Sequence, residues 1–168
     1  MDVSQAIRTR RSIRKYKQET VPHKVIEEIV ADAAYAPSWK NTQIARYILV
    51  EDRATIDKMA EEMVLDFKFN EKTLKSCAAL MVLTYITGRS GFERDGSYAT
   101  PKEAGFEMFD AGIAAQTFCL SAWERGVGTV ITGYFNEAKI IDLLHIPENQ
   151  KVGCVIGLGS VSYTHLTL

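Results

Sequence analysis

Four residues near the start of the chain, Arg10, Arg11, Ser12 and Arg14, fall within five positions and are all cationic or hydrogen-bonding. Guanidinium forks match the oxygens of a phosphate dianion and a hydroxyl adds a further donor, so the cluster has the chemistry of a phosphate grip. A solvated basic face is the other reading, and these residues alone leave both open. A second string, Ala36-Pro37-Ser38-Trp39-Lys40-Asn41-Thr42-Gln43, crowds amides and hydroxyls around one large aromatic. A planar heteroaromatic ligand needs such amides at its polar edge and an apolar or aromatic group against its face. A capped loop with a core Trp is the alternative.

The third stretch runs Gly126-Val127-Gly128-Thr129-Val130-Ile131-Thr132-Gly133-Tyr134-Phe135-Asn136. Glycine permits close backbone approach, and a backbone N–H after Thr132 is free to donate to an electron-accepting ring nitrogen with no side chain in the way. The stretch is not a dinucleotide fingerprint: G-x-G-x-x-G is not matched, and a helix rather than a strand precedes it. His23, His145 and His165 are isolated and lack metal-ligand spacing, so no metal site is expected. Glu27 and Glu28, like Glu61 and Glu62, are adjacent on helices and point to different sectors, which argues against paired-carboxylate catalysis. Cys77, Cys119 and Cys154 each lie in an apolar run with no C-x-x-C spacing, the pattern of buried reduced thiols.

These groups must be held by elements that the periodicity predicts. Asp2 caps a short helix expected to turn Ala6 and Ile7 inward, which runs into the basic cluster. Pro22 suits a first helical position, with Val25, Ile26, Ile29, Val30, Ala33 and Ala34 at helical spacing until Pro37. Tyr47 to Val50 reads as a strand. Asp52 then opens a helix with Ile56, Met59, Ala60, Met63, Val64 and Phe67 on one face. Ala79 to Ile86 is a continuous apolar run, as expected of a buried central strand. Thr87 to Lys102 shifts to Gly, Ser, Arg and Asp, predicting a mobile surface loop and a candidate lid. Glu103 to Glu124 is a long helix apolar on nearly every face, which calls for cover that a second subunit would supply. A strand follows from about Thr129 to Thr132, then a helix capped by Asn136 that carries Ile140, Ile141 and Leu144 and is closed by Pro147. Lys151 to Leu158 forms the last strand.

The 168 residues suit one domain, with 46% apolar and 24% charged residues as in ordinary globular chains. A net charge of -1 offers nothing that draws the chain to nucleic acid or an anionic membrane. The charged N-terminus is unlike a signal peptide and no apolar run is long enough to span a membrane, so a cytoplasmic location is expected.

Taken in order, the three stretches resemble the nitroreductase family of FMN-dependent oxidoreductases. The chain carries R-R-S-x-R-x-[FY] as Arg10-Arg11-Ser12-Ile13-Arg14-Lys15-Tyr16, and P-S-x-x-N-x-Q as Pro37-Ser38-Trp39-Lys40-Asn41-Thr42-Gln43. The similarity continues through G-x-G-T at Gly126 to Thr129, Gly133-Tyr134-Phe135, Leu144-His145-Ile146-Pro147-Glu148, and V-x-x-x-I-G-x-G from Val152 to Gly159.

The resemblance implies an α+β fold, a central mixed but mainly antiparallel sheet flanked by helices, in an intertwined homodimer with FMN at the subunit boundary. It implies that Arg10, Ser12 and Arg14, with Arg11 between them, hold the phosphate and the pyrimidine edge of the ring. Pro37, Ser38, Trp39 and Asn41, with Gln43, would reach the same flavin from the other subunit. The backbone of Ile131, Thr132 and Gly133 would face the reactive N5 edge, and Asn70 and Lys72 match a family Asn and Lys near the flavin. The expected reaction passes electrons from NADH or NADPH to a nitroaromatic, quinone or other small acceptor by a ping-pong cycle. The cofactor carries that chemistry, so no catalytic acid or base is expected. Trp39 and the loop from Thr87 to Lys102 would shape the substrate slot.

Dehalogenation, azoline oxidation or flavin fragmentation, a flavin carrier or sensor that does not turn over NAD(P)H, and a helical dimerisation module without flavin are the rivals. The chain departs from the family at its end, where the domain of residues 1–160 gives way to an atypical tail, 161–168, with no Lys or Arg after Lys151. Weaker phosphate binding, or a truncated or foreign tail, would account for it.

Overall fold

The computed structural model describes residues 1–17 and 19–161, so the tail expected to be atypical lies outside the described residues from Ser162 onward. Four strands, β1 (Ala45–Val50), β2 (Ala79–Ile86), β3 (Val127–Thr132) and β4 (Gln150–Ser160), form one sheet in the order β1-β2-β4-β3. Each neighbouring pair is antiparallel. The parallel component is an isolated bridge between Ser12 and Thr129, where the arm that follows the first helix runs beside β3.

β2 is buried at every residue because both faces of the sheet are covered. Ala79, Met81, Leu83 and Tyr85 meet α2 (His23–Ala33) and α5 (Gly105–Glu124) in one core. Leu80 and Val82 point the other way, into a core closed by α3 (Arg53–Glu62), α4 (Lys68–Lys75) and α6 (Glu137–Leu144). Strand alternation thus sorts one apolar run into two cores. No helix is long and apolar enough to cross a membrane, among the described residues.

Three expectations need correction. In α1 (Val3–Thr9), capped by Asp2, Ala6 is buried but Ile7 is 56% exposed, since this one short helix presents only its Ala6 side to the core. The helix opened by Asp52 ends at Glu62: Met63 and Val64 are buried beyond it, whereas Phe67 is 47% exposed. The chain breaks there because the last carbonyls of α3 are taken from outside, Met63 O by Asn136 N at 2.7 Å and Glu62 O by Lys139 Nζ at 3.1 Å. Leu65 and Asp66 then adopt left-handed backbone, and a new helix, α4, begins.

The stretch from Thr87 to Lys102 is also fastened more than its composition suggests. Gly88 N donates to Glu107 Oε1 at 2.6 Å, Ser90 Oγ donates to Asp110 Oδ2 at 2.5 Å, and Phe92 bridges Tyr98 across a small hairpin. Ser90 and Gly91 are buried against the start of α5. These buried bonds are what a free lid lacks.

Candidate functional site

The arm after α1 is laid on the sheet by its own backbone and by one aromatic. Ile13 N donates to Thr129 O at 2.9 Å and Lys17 N donates to Ser160 O at 3.1 Å. Tyr16 Oη donates to Ile13 O at 2.6 Å and lies 3.3 Å from Gly157 O. The ring fits because Gly159 has no side chain: a Cβ there would stand 2.5 Å from Tyr16. One at Gly157 would meet Cys77 Sγ at the same distance. Burial pushes the Tyr16 phenol far above its ordinary 10.0, so it stays a neutral donor.

With Ile13 buried and Tyr16 half-buried, Ser12 and Arg14 are left exposed beside β3. Arg11 turns back to cap α1, donating to Arg8 O at 2.7 Å and Arg10 O at 2.9 Å. The guanidinium of Arg14 lies 5.7 Å from the Phe69 ring centre, and Ser76 Oγ donates to Arg14 O at 3.2 Å. Phe69 on α4 and Ser76, its C-cap, therefore mark the stripe that meets the arm. Asn70 and Lys72 flank that stripe on opposite sides, about 160° apart at the ~100° per residue of a helix. Among the described residues no ion pair uses Arg10, Arg11 or Arg14, and Arg10 Nε is buried without a hydrogen-bond partner.

At the end of β3, Thr132 turns inward and its hydroxyl donates to Val155 O at 2.9 Å. Ile131 is 46% exposed, and a Cβ on Gly133 would meet nothing within 4 Å. The backbone is open there. Ile131 and Gly133 share a groove of about 230 Å³ with Met108, Ala111, Gly112 and Ala115, a stripe of α5 at helical spacing.

The Pro37–Gln43 loop sits elsewhere. It closes a 3-10 turn, Trp39–Asn41, in which Asn41 N donates to Ser38 O and Gln43 N donates to Ser38 Oγ at 2.8 Å. Trp39 N donates to Asp110 Oδ2 at 3.0 Å, and the Trp39 and Phe106 rings lie 4.4 Å apart. Pro37, Ser38 and Gln43 line a separate cavity of about 310 Å³ together with Asp110 and Ala114. The indole Nε1 of Trp39 is buried without a partner among the described residues.

The two groups of site residues thus border different flanks of one helix. At the ~100° per residue of a helix, Asp110 and Ala114 point about 130° around α5 from the Met108–Ala115 stripe, and a helix is about 10 Å across. The two cavities share no lining residue. The structure unites Ser12 with β3 and Arg14 with α4, leaves Arg10 as the cap that ends α1, and unites the Pro37 to Gln43 loop with Asp110, but it does not bring the two sets together. Sequence reasoning missed Tyr16 as the fastener of the arm and Asp110 as the fastener of the loop. Tyr16 was visible as the last residue of the first motif, whereas a lone Asp inside an apolar helix was the signal for Asp110.

A family model described as the nitroreductase family matches residues 7–160. The chain belongs to the nitroreductase family. This nitroreductase-family chain is 31% identical over 163 residues to a Methanothermobacter thermautotrophicus protein named "Putative NADH dehydrogenase/NAD(P)H nitroreductase", covering 95% of itself and 77% of that relative. An Archaeoglobus fulgidus protein of the same name is 32% identical, with 91% and 82% covered. A nitroreductase family structure from Clostridium novyi NT superposes with a TM-score of 0.82 at 26% identity, covering all of this chain and 89% of the other. The fold is also that of a Desulfovibrio desulfuricans nitroreductase-type structure solved in complex with FMN, at a TM-score of 0.71 and 22% identity over 96% and 87% of the two chains. As a member of this family of oxidoreductases, the chain is an enzyme.

Proposed function

We infer that this nitroreductase-family chain binds FMN and passes electrons from NADH or NADPH to a small acceptor such as a nitroaromatic or quinone, working as a homodimer. The observation that carries the reading is the separation of the two residue sets by α5. A second copy packed along this helix supplies the missing half of each site. Phe109, 61% exposed, and Met108, 52% exposed, form the apolar face such a copy would cover.

The residues present fit the cofactor. Ser12 and Arg14, exposed and without a carboxylate partner among the described residues, would hold the ribityl phosphate, with Arg10 and Arg11 adding positive charge and the buried Arg10 Nε offering a donor unused among those residues. Asn70 and Lys72 would approach the ring from the two sides of the α4 stripe. The backbone at Ile131, Thr132 and Gly133 would lie against the ring's reactive edge, where Gly133 leaves room for close approach. Pro37, Ser38, Trp39, Asn41 and Gln43 of a second copy would close the other side.

When bound, FMN supplies the two-electron exchange; the chain binds, orients and leaves one face open. Reductant and acceptor would use that face in turn, a ping-pong order. The test is a visible spectrum of the purified protein followed by anaerobic addition of NADH or NADPH. A flavin spectrum that bleaches, and returns on adding a nitroaromatic or quinone, is expected. A flavin that stays oxidised would instead identify a carrier, and a protein unable to take up FMN would sink the reading altogether.

A further inference from the structure

Asp110 is 4% exposed, and no ion pair among the described residues involves it. A carboxylate taken out of water without a cation is costly unless other donors satisfy it. Two do, and both reach the same oxygen: Trp39 N at 3.0 Å and Ser90 Oγ at 2.5 Å. They come from segments 71 residues before it and 20 residues before it in the chain. One side chain on α5 therefore ties together the Pro37–Gln43 loop and the turn at Ser90.

The loop needs such a tie. Lys40, Asn41 and Gln43 all have positive φ, at 46°, 54° and 48°, a backbone region that side chains disfavour and that persists only when the surroundings impose it. Within the loop, Ser38 closes the turn through its carbonyl and its hydroxyl. Trp39 N is the first free donor of that turn, and an element distant in sequence accepts it. Asp110 thus acts as a tertiary cap. The neighbouring fastenings are weaker or later in the loop: Lys40 Nζ meets Glu93 Oε1 at 3.0 Å on the exposed surface, and Trp39 rests on Phe106.

We propose that Asp110 is a positioning residue for the cofactor, holding Trp39 and with it the Pro37–Gln43 loop in the shape that completes the second copy's FMN site. This rests on the reading above, in which that loop serves the flavin of the other subunit. The acting feature is an acceptor oxygen at the Oδ2 position, since both groups it meets are donors. Asparagine retains that oxygen; leucine fills the space without it.

The dimeric holoprotein is compared with Asp110→Asn, Asp110→Leu and Arg14→Ala. FMN is titrated back into the stripped proteins, and hydrogen exchange is followed at the Trp39 amide without flavin. For Asp110→Leu, loss of a buried bond to a charged acceptor should weaken FMN binding about tenfold and speed Trp39 exchange about tenfold. Asp110→Asn should stay within about threefold of the parent on both, by keeping one acceptor. Parent-like FMN binding and exchange in Asp110→Leu would overturn the proposal, as would an Asp110→Asn protein as damaged as the leucine variant. If the leucine variant does not fold, Asp110→Glu replaces it; displacing the oxygen by one methylene should accelerate Trp39 exchange, and parent-like exchange and FMN binding would count against the assignment. A parent unable to bind FMN condemns the functional reading instead, while Trp39 exchange still decides whether Asp110 holds the loop. If Arg14→Ala alone loses FMN, the functional reading stands and Asp110 is only structural.

Discussion

Arg14 and Tyr16 are two positions apart on one arm and face different worlds: one offers a cation to solvent, the other a hydroxyl to the sheet. Removing the Arg14 guanidinium should leave the fold intact, because among the described residues it makes one long bond to Ser12 O and meets one ring face. Arg14→Ala is expected to lower flavin content and to weaken FMN binding about tenfold, the usual scale for a charge-assisted bond. Flavin analysis of purified parent and variant checks this. Tyr16→Phe deletes the donor to Ile13 O while keeping the ring on Gly159. A loss of about 1 kcal/mol, or roughly 2–4 °C in Tm for a chain of this size, should follow in a thermal melt. The Arg-Arg-Ser-Ile-Arg spacing showed in the sequence that a phosphate grip was available, but not that Arg11 would cap α1 instead of standing beside its neighbours. That choice depends on where the helix stops.

At the scale of elements, β4 and α5 carry the site without reacting. The last strand carries glycine at 157 and 159 because Cys77 and Tyr16 lie on it: enlarging Gly159 to Val would drive its Cβ into Tyr16. Gly159→Val should therefore detach the arm, with faster proteolysis before Tyr16 and loss of FMN together; protease mapping with flavin assay would detect both. For α5, Phe109→Glu places charge on an apolar face at a position 61% exposed in the single chain. If that face meets a second copy, the variant should sediment as a monomer and lose FMN while keeping its helical circular dichroism. A dimeric, flavin-loaded variant would refute the assigned interface. The helices and strands were readable from periodicity, yet the break after Glu62 was not, because Leu65 and Asp66 carry no glycine or proline signal. The break is made by Asn136 and Lys139, which reach α3 from α6.

The whole molecule shows its burial in its response to alkali. Burial pushes the Cys77 and Cys154 thiols up from 9.0 to about 12, and the Tyr47 phenol up from 10.0 to about 12. Above pH 9 the unfolded chain releases protons that the folded chain keeps, so folding holds more protons and stability falls as pH rises from about 9 towards 12. Tm measured across that range should decline steadily, and native protein at pH 8 should react far more slowly with a thiol reagent than the denatured chain. A flat Tm from pH 8 to 11 would contradict this burial. Composition and local pattern determined the buried strand β2, most of the helices and the buried cysteines, since these follow from hydrophobic period near in sequence, and the motifs carried the family resemblance that implied the α+β fold. Only the tertiary structure decided which residues meet. Asp110 finds Trp39 across 71 residues, Tyr16 finds the Gly157 carbonyl across 141, and α5 separates the two halves of the site. Such pairings are set by how layers stack around a shared core, and local sequence carries no term for contacts that close only when distant elements pack.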